Sequence, residues 1–324
     1  MNPSEGAPRE EHGAGQQQTT AGPGRGEGPL DTESPRATTK TPLFEAFNAP
    51  RYQRQLLIRE IQTANGRTLL SYVAGPGSPV ERDDVLGFVD LLHHLPVGAD
   101  IDLILHTGGG DIDVTEKLAN MLWAKIGQSG TLRVIVPDFA KSAGTLLALA
   151  ADVIVMSDSS ELGPIDPQLV RRSPDGELTV TGVQHHLDAY ERYKSACRQD
   201  PEDRGAASML AKFVPAEIQA FESVMARARQ LSDKHLKEGM FRRGDPGAYT
   251  AITNALLDTK RWLTHSQVIG PREAQEVGLN VDYRASDDPE WRSWWRLHCL
   301  HRLALDPGSV RKIFESDPVW LQMA

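Results

Sequence analysis

The chain has 324 residues, of which 40% are hydrophobic and 24% are charged, and its formal net charge is −9. This length is enough for one large domain or two modest ones, and the acidic balance argues against a general nucleic-acid-binding protein. Two cysteines, Cys197 and Cys299, are too few for a disulfide framework, so we expect reduced thiols and a cytoplasmic protein. The sequence also shows no basic, apolar leader and no uncharged apolar run of about 18 residues, so it predicts neither a secretory signal nor a membrane span.

The N-terminal part of the chain differs in composition from the rest. Residues 1 to 40 contain no Val, Ile, Phe, Tyr or Trp and are rich in Gly, Pro, Gln, Thr and charge. Such a segment cannot bury enough apolar surface to offset the entropy lost on ordering. We therefore predict a disordered segment over 1–41, a folded domain over 42–285 and a helical tail, rich in tryptophan, over 286–324.

From residue 68 onward, the hydrophobic pattern alternates between strands and helices. The predicted strands cover 68–74, 101–105, 132–136 and 153–156, and the helices that follow the first three cover 83–95, 114–126 and 143–151. This order, with short links, predicts parallel βαβ units and an α/β core. Beyond residue 167 the pattern predicts helices over 183–196, 216–241, 248–263 and 272–279, and a last strand over 280–283.

Two short motifs follow neighbouring predicted strands. His106-Thr107-Gly108-Gly109-Gly110-Asp111 closes one strand, and Lys141-Ser142-Ala143-Gly144-Thr145 lies between another strand and a helix. A serine at such a turn exposes its hydroxyl beside the first helical N–H groups, and a neighbouring glycine turn can bring further N–H groups to the same point. These are the parts of a serine nucleophile with a backbone oxyanion hole. The alternative role of Ser142 is that of a helix N-cap.

The two turns, the strand Ala150–Met156 and the run Leu162-Gly163-Pro164-Ile165 resemble the Clp/crotonase superfamily. Within it, residues 100–170 are similar to the signal peptide peptidase A branch, and especially to the soluble serine dehydrogenase proteinase group. The resemblance implies a repeated ββα/βαβ core with added C-terminal helices and assembly into a homo-oligomer. It also implies a serine-type endopeptidase whose substrate is a peptide or an unfolded protein segment.

The resemblance assigns expected roles to individual residues. Ser142 is the expected nucleophile, and the N–H groups of Gly109 and Ala143 are the expected oxyanion donors. Lys194 lies 52 residues after Ser142, in a run similar to the lysine motif of the peptidase A branch, and is the expected general base. A lysine can fill that role only where burial favours its neutral form, whereas in a charged helix it is normally solvated.

Three histidines, His265, His185 and His186, are alternative general bases, because histidine needs no large pKa shift to act at neutral pH. The side chain of Lys141 should point away from that of Ser142, since adjacent residues in an extended segment face opposite sides.

Neither a cofactor nor a metal is predicted, because the acidic residues Asp111, Asp113, Glu161 and Asp166 lack the spacing of a compact ligand loop. Asp111 and Asp113 are instead expected to cap the helix that starts at Val114. Two other functions stay open: a catalytically degenerate oligomeric scaffold and a crotonase-type acyl-CoA enzyme.

Overall fold

The structure is a computed structural model that describes residues 41–173, 175–244, 249–306 and 308–324. The chain divides into two units, Met1–Glu45 and Ala46–Ala324, and the candidate site lies in the second. The segment predicted to be disordered, 1–41, lies outside the described residues except for residue 41.

Eleven strands occur in the described residues. In chain order they are β1 Thr68–Ala74, β2 Ile101–His106, β3 Leu132–Ile135, β4 Phe139–Ala140, β5 Val153–Met156, β6 Glu161–Leu162, β7 Gln168–Arg172, β8 Leu178–Gly182, β9 Val281–Tyr283, β10 Lys312–Glu315 and β11 Trp320–Met323. Seven of them form one sheet in the order β11-β10-β1-β2-β3-β5-β9, and the four pairings from β1 to β9 are parallel. The predicted α/β core with a parallel sheet is therefore confirmed.

The described residues also form ten helices. They are α1 Pro42–Asn65, α2 Asp84–His93, α3 Ile112–Ile126, α4 Ala143–Leu149, α5 Val183–Gln199, α6 Arg204–Leu210, α7 Pro215–Glu238, α8 Tyr249–Leu257, α9 Pro271–Glu276 and α10 Pro289–Ala304. Most of the helices predicted from the sequence are present with small shifts of their ends. The sequence pattern did not predict α1, α6 or the β7–β8 hairpin.

Apolar side chains cover both faces of the seven-stranded sheet. Every residue of β2 is buried, as expected for a parallel strand with helices on both faces. On one face, α1 and α10 contribute Leu57, Ile58 and Trp294 to a cluster that reaches the sheet. On the other face, the larger cluster includes residues of α2, α3, α4, α7 and α8. The carboxyl ends of β2 and β3 thus emerge from a rigid three-layer core.

The predicted helical tail over 286–324 is only partly helical. Helix α10 is present, but β10 and β11 follow it, and β10 pairs antiparallel with β1 inside the main sheet. The hydrophobic pattern does not predict β10 because two of its four residues, Lys312 and Glu315, are charged. In the structure Lys312 pairs with Asp84 and Glu315 pairs with Arg54, and all four side chains are buried. Residues 286–324 are therefore part of the unit Ala46–Ala324 and not a separate tail.

Two further two-stranded sheets flank the main one, β4 with β6 in parallel and β7 with β8 antiparallel. The β7–β8 hairpin packs Leu169 against a small cluster that contains Val183, Ile218 and Phe221. None of the described helices combines the length and apolar character that crossing a membrane requires.

Candidate active site

The glycine-rich turn after β2 lies directly against the serine turn before α4. Thr107 forms an isolated parallel bridge with Ala140, and Lys141 N–H donates to Thr107 O over 3.0 Å. Gly109 has φ 99°, and a Cβ placed on it would lie 2.7 Å from Lys141 O, 2.8 Å from Ser142 Cβ and 3.0 Å from Ala143 N. Only glycine fits this position, for both its backbone angle and its contacts. The expected meeting of the two turns is therefore present.

Ser142 has a strained backbone at the junction of strand and helix. Its φ is 52° and its ψ is −117°, and it is the one non-glycine residue with positive φ in the described part of the chain. Although Ser142 occupies the N-cap position of α4, its side chain makes no capping hydrogen bond. The alternative role as a helix cap thus finds no support. Strain of this kind at a strand-to-helix turn is typical of an exposed nucleophile.

The helix that follows Ser142 is fixed by its surroundings. All seven residues of α4 are buried, and Thr145 Oγ1 donates to Ala140 O over 2.7 Å. The same hydroxyl accepts a hydrogen bond from Gly163 N–H over 3.0 Å. The serine turn, α4 and the segment after β6 are therefore held together as one rigid unit.

The two expected oxyanion donors differ in whether their N–H groups already have hydrogen-bond partners. Ala143 is the first residue of α4, so its N–H has no partner within the helix and lies beside Ser142. Gly109 N–H donates to Thr107 Oγ1 over 3.2 Å, a long hydrogen bond inside its own turn. Ala143 N–H, which has no partner within its helix, is accordingly the more available donor of the two.

Lys194, the expected base, lies on α5 and faces the surface. Its Nζ donates to Glu191 Oε1 over 2.6 Å and lies 5.1 Å from the centroid of the Tyr190 ring. The Lys194 side chain is 30% exposed, and no contact joins it to Ser142 within the described residues. The ammonium is therefore held by a neighbouring carboxylate of its own helix and not by the serine turn.

His265 is the candidate base with an orienting carboxylate. Its Nδ1 lies 2.8 Å from Asp166 Oδ1, and Asp166 is buried. Both residues line a cavity of about 360 Å³, together with His185 from the start of α5. His186 points elsewhere: its Nε2 lies 3.0 Å from Thr181 Oγ1, and burial lowers its pKa.

The segment that carries His265 runs beside the serine turn. Lys141 Nζ donates to Leu162 O over 2.9 Å and lies 3.4 Å from Gln267 O, two residues after His265. Leu162 and Ile269 form an antiparallel bridge. Lys141 also pairs with Glu161, so its side chain is directed to residues of β6. These contacts bring the His265 segment to the edge of the sheet where Ser142 lies.

The sequence did not predict the contact between the Asp166 carboxylate and the His265 imidazole. The spacing of Asp166 and Asp111 predicts no metal site, and in the structure Asp111 caps α3 by accepting hydrogen bonds from Asp113 N–H and Val114 N–H. One signal was present: Asp166 stands between an apolar run and Pro167, an unusual place for a carboxylate without a partner.

A parallel α/β core with a strained serine beside a glycine turn is an arrangement that also occurs in α/β serine hydrolases. Residues 82–187 match the family described as ClpP-like SDH-type serine proteinases, which confirms the resemblance stated from the sequence. Ser142, Gly109 and Asp166 lie inside the matched segment, whereas Lys194 and His265 lie outside it.

Two similar proteins come from Methanocaldococcus jannaschii, and both are described as uncharacterized. MJ0137 is 29% identical over 263 residues, which are 76% of this chain and 82% of that protein. MJ1495 is 33% identical over 150 residues, which are 43% of this chain and 47% of that protein.

Solved structures of the membrane-bound stomatin-specific protease 1510-N also match. A serine-to-alanine mutant is 17% identical, with 72% of this chain and 91% of that chain covered and a TM-score of 0.22. A lysine-to-alanine mutant in complex with a substrate peptide gives 17% identity, coverage of 68% and 89%, and a TM-score of 0.23. Scores this low do not establish a shared arrangement of the elements.

Proposed function

We propose that this protein is a serine endopeptidase in which the hydroxyl of Ser142 attacks the carbonyl carbon of a peptide bond. The observation that carries the proposal is the strained Ser142, whose side chain makes no capping bond and whose Cβ packs against Gly109. The match of residues 82–187 to a family of serine proteinases supports the same reaction.

The negative charge of the tetrahedral intermediate would be held by the N–H groups of Ala143 and Gly109. The Ala143 N–H lies at the start of a helix, where the backbone dipole also favours a negative charge. Gly109 N–H would shift from Thr107 Oγ1 to the oxyanion, a small cost because that hydrogen bond is long. Losing one such donor costs about 10²- to 10³-fold in other serine hydrolases.

As general base we propose His265, oriented by Asp166. His265 would take the proton of the Ser142 hydroxyl and return it to the leaving amine, while the Asp166 carboxylate stabilises the imidazolium. Water would then attack the acyl-enzyme, and His265 would act as base again. The 2.8 Å contact between His265 and Asp166 favours this assignment over Lys194, whose ammonium is paired with Glu191.

The substrate class that suits this site is an extended or unfolded peptide segment. The cavity beside His265, about 360 Å³, is lined on one side by Val180 and Thr181 of the β7–β8 hairpin. An extended segment could lie along this cavity and present its backbone carbonyl groups to Ser142.

The test is labelling of the purified full chain with a fluorophosphonate probe, which reacts only with an activated serine. Wild type should label, Ser142→Ala should not label at all, and His265→Ala should label at a strongly reduced rate. Lys194→Ala should label like wild type, as should the matched control His93→Ala, which changes an exposed histidine.

Other labelling results would change either the proposed base or the proposed function. Labelling that is lost in Lys194→Ala and kept in His265→Ala would replace the proposed base with the lysine expected from the resemblance. If well-folded wild type does not label while a control hydrolase does, the peptidase proposal is wrong and the oligomeric scaffold is favoured.

A further inference from the structure

A second cluster of chemistry-bearing side chains lies at the carboxyl end of β2, on the face covered by α10. It consists of His106 at the end of β2, Asp138 after β3, and His298 on α10. One possible ligand atom from each residue lies within 4.8 Å of the other two. The three residues are far apart in the sequence, which is why spacing alone predicted no metal site.

Two of the three side chains are buried with unmet hydrogen-bonding capacity. His106 is 1% exposed and His298 is 2% exposed, and the Nδ1 atom of each has no hydrogen-bond partner among the described residues. Leaving a buried polar atom without a partner costs about 1–3 kcal/mol. Orphaned nitrogens on two adjacent buried imidazoles, with ring centroids 4.9 Å apart, indicate a group that the protein chain does not supply.

A cation already bridges two of the three residues. Arg302 Nη1 lies 2.8 Å from His106 Nε2 and 3.1 Å from Asp138 Oδ2. The lone pairs of an imidazole and a carboxylate thus converge on one positive group. The Arg302 side chain is 37% exposed, so the guanidinium has room to swing into solvent.

We propose that His106, Asp138 and His298 form a binding site for a divalent first-row transition ion, with Arg302 as the alternative occupant. Two imidazoles and one carboxylate are typical ligands for Zn²⁺ and for non-haem Fe²⁺, and they leave a coordination position open. His106 immediately precedes the glycine-rich turn, so the ion would tie the end of β2 to α10 and fix the start of that turn.

The test is metal binding by the full chain after treatment with a chelator, followed by the visible absorption of added Co²⁺ and by calorimetry with Zn²⁺. We expect one saturable site in wild type, weakened at least about tenfold in Asp138→Asn and in His298→Ala. Arg302→Ala should bind at least about tenfold more tightly, because it removes a competing positive charge.

Controls separate this site from adventitious histidine sites and from the peptidase proposal. Changing both exposed residues His93 and His94 to alanine should leave binding unchanged, and so should Ser142→Ala. Since His298 is buried, circular dichroism must show that the His298→Ala variant folds. If that variant does not fold, Asp138→Asn and Arg302→Ala still test metal binding at this site. Absence of saturable binding in both wild type and Arg302→Ala, or binding unaffected by Asp138→Asn, overturns the proposal.

Discussion

Two regions that supply candidate catalytic residues differ sharply in how firmly they are held. The serine turn, residues 140–145, joins a fully buried helix and is bonded to the glycine turn. The outer layer, formed by β7, β8, α5 and α6, rests on a cluster of three buried apolar side chains. In α5 only Val183 is buried out of 17 residues. Ser142 and the N–H group of Ala143 lie in the first region, and Lys194 lies in the second.

The comparison indicates that a catalytic base is oriented more firmly beside the rigid region than in the outer layer. Asp166 and His265 lie near the rigid segment after β6, whereas Lys194 is fixed only by its own helix neighbours. If activity depends on the rigid region alone, substitutions there should have large effects and substitutions in the outer layer small ones.

The largest effect is expected for Gly109→Ala. Its Cβ would overlap Lys141 O and Ser142 Cβ, so we expect peptidase activity and fluorophosphonate labelling to fall by more than about 10²-fold. The matched control is Gly77→Ala, which also has positive φ but meets nothing within 4 Å. That control should lose about 1 kcal/mol of stability and keep its activity. Equal activity losses in the two variants would contradict a specific role of Gly109.

Asp166→Asn is expected to lower kcat by about 10²- to 10⁴-fold, because the imidazole of His265 loses the carboxylate that orients and stabilises it. The loss should appear in kcat more than in KM, since Asp166 acts through His265. The control is Glu191→Gln, which frees Lys194 from its partner and should leave kcat within about twofold. A fall in kcat for Glu191→Gln, with Asp166→Asn active, would point to the outer layer as the source of the base.

The buried residue His235 is expected to make the free energy of unfolding fall at acidic pH. Burial lowers the pKa of His235 on α7 to about 4, partly offset by its 2.7 Å contact with Leu146 O. In the unfolded chain a histidine has a pKa of about 6.5, so the unfolded state takes up its proton first as the pH falls. The stability is thus fully present above pH 6.5 and is lost between about pH 6.5 and 4, by about 3 kcal/mol for this residue.

His235→Asn should therefore flatten the decline of the unfolding free energy over that range, measured by urea denaturation at a series of pH values. The exposed residue His93 gives the control, and His93→Asn should keep the wild-type slope. An unchanged slope in His235→Asn would mean that other groups dominate acid unfolding.

The smallest effect is expected for Lys194→Met in the outer layer. Its ion pair with Glu191 is partly exposed on one helix, and such pairs contribute about 0.5 kcal/mol or less. Thermal unfolding should shift by a degree or two at most. A loss of several kcal/mol would show that α5 depends on this residue far more than its contacts suggest.

Patterning of the sequence was a sound guide wherever a strand is mostly apolar. The predicted ends of β1, β2 and β5 lie within one residue of the observed ends, because short, mostly apolar runs bounded by turn residues are typical of buried strands. It failed at β10, where Lys312 and Glu315 are buried as ion pairs with residues of α1 and α2. Pairing of charges from distant elements leaves no periodic signal in the chain.

The sequence by itself determined the parallel α/β core and the two turns that carry Ser142 and Gly109. Those features depend on local chemistry: apolar runs form buried strands, and glycine fits a turn that a Cβ would block. Only the tertiary structure decided which base candidate has an orienting carboxylate, and which histidines gather with Asp138 at the end of β2. Contacts between residues about 100 to 200 positions apart are set by how the layers pack, and no local pattern encodes them.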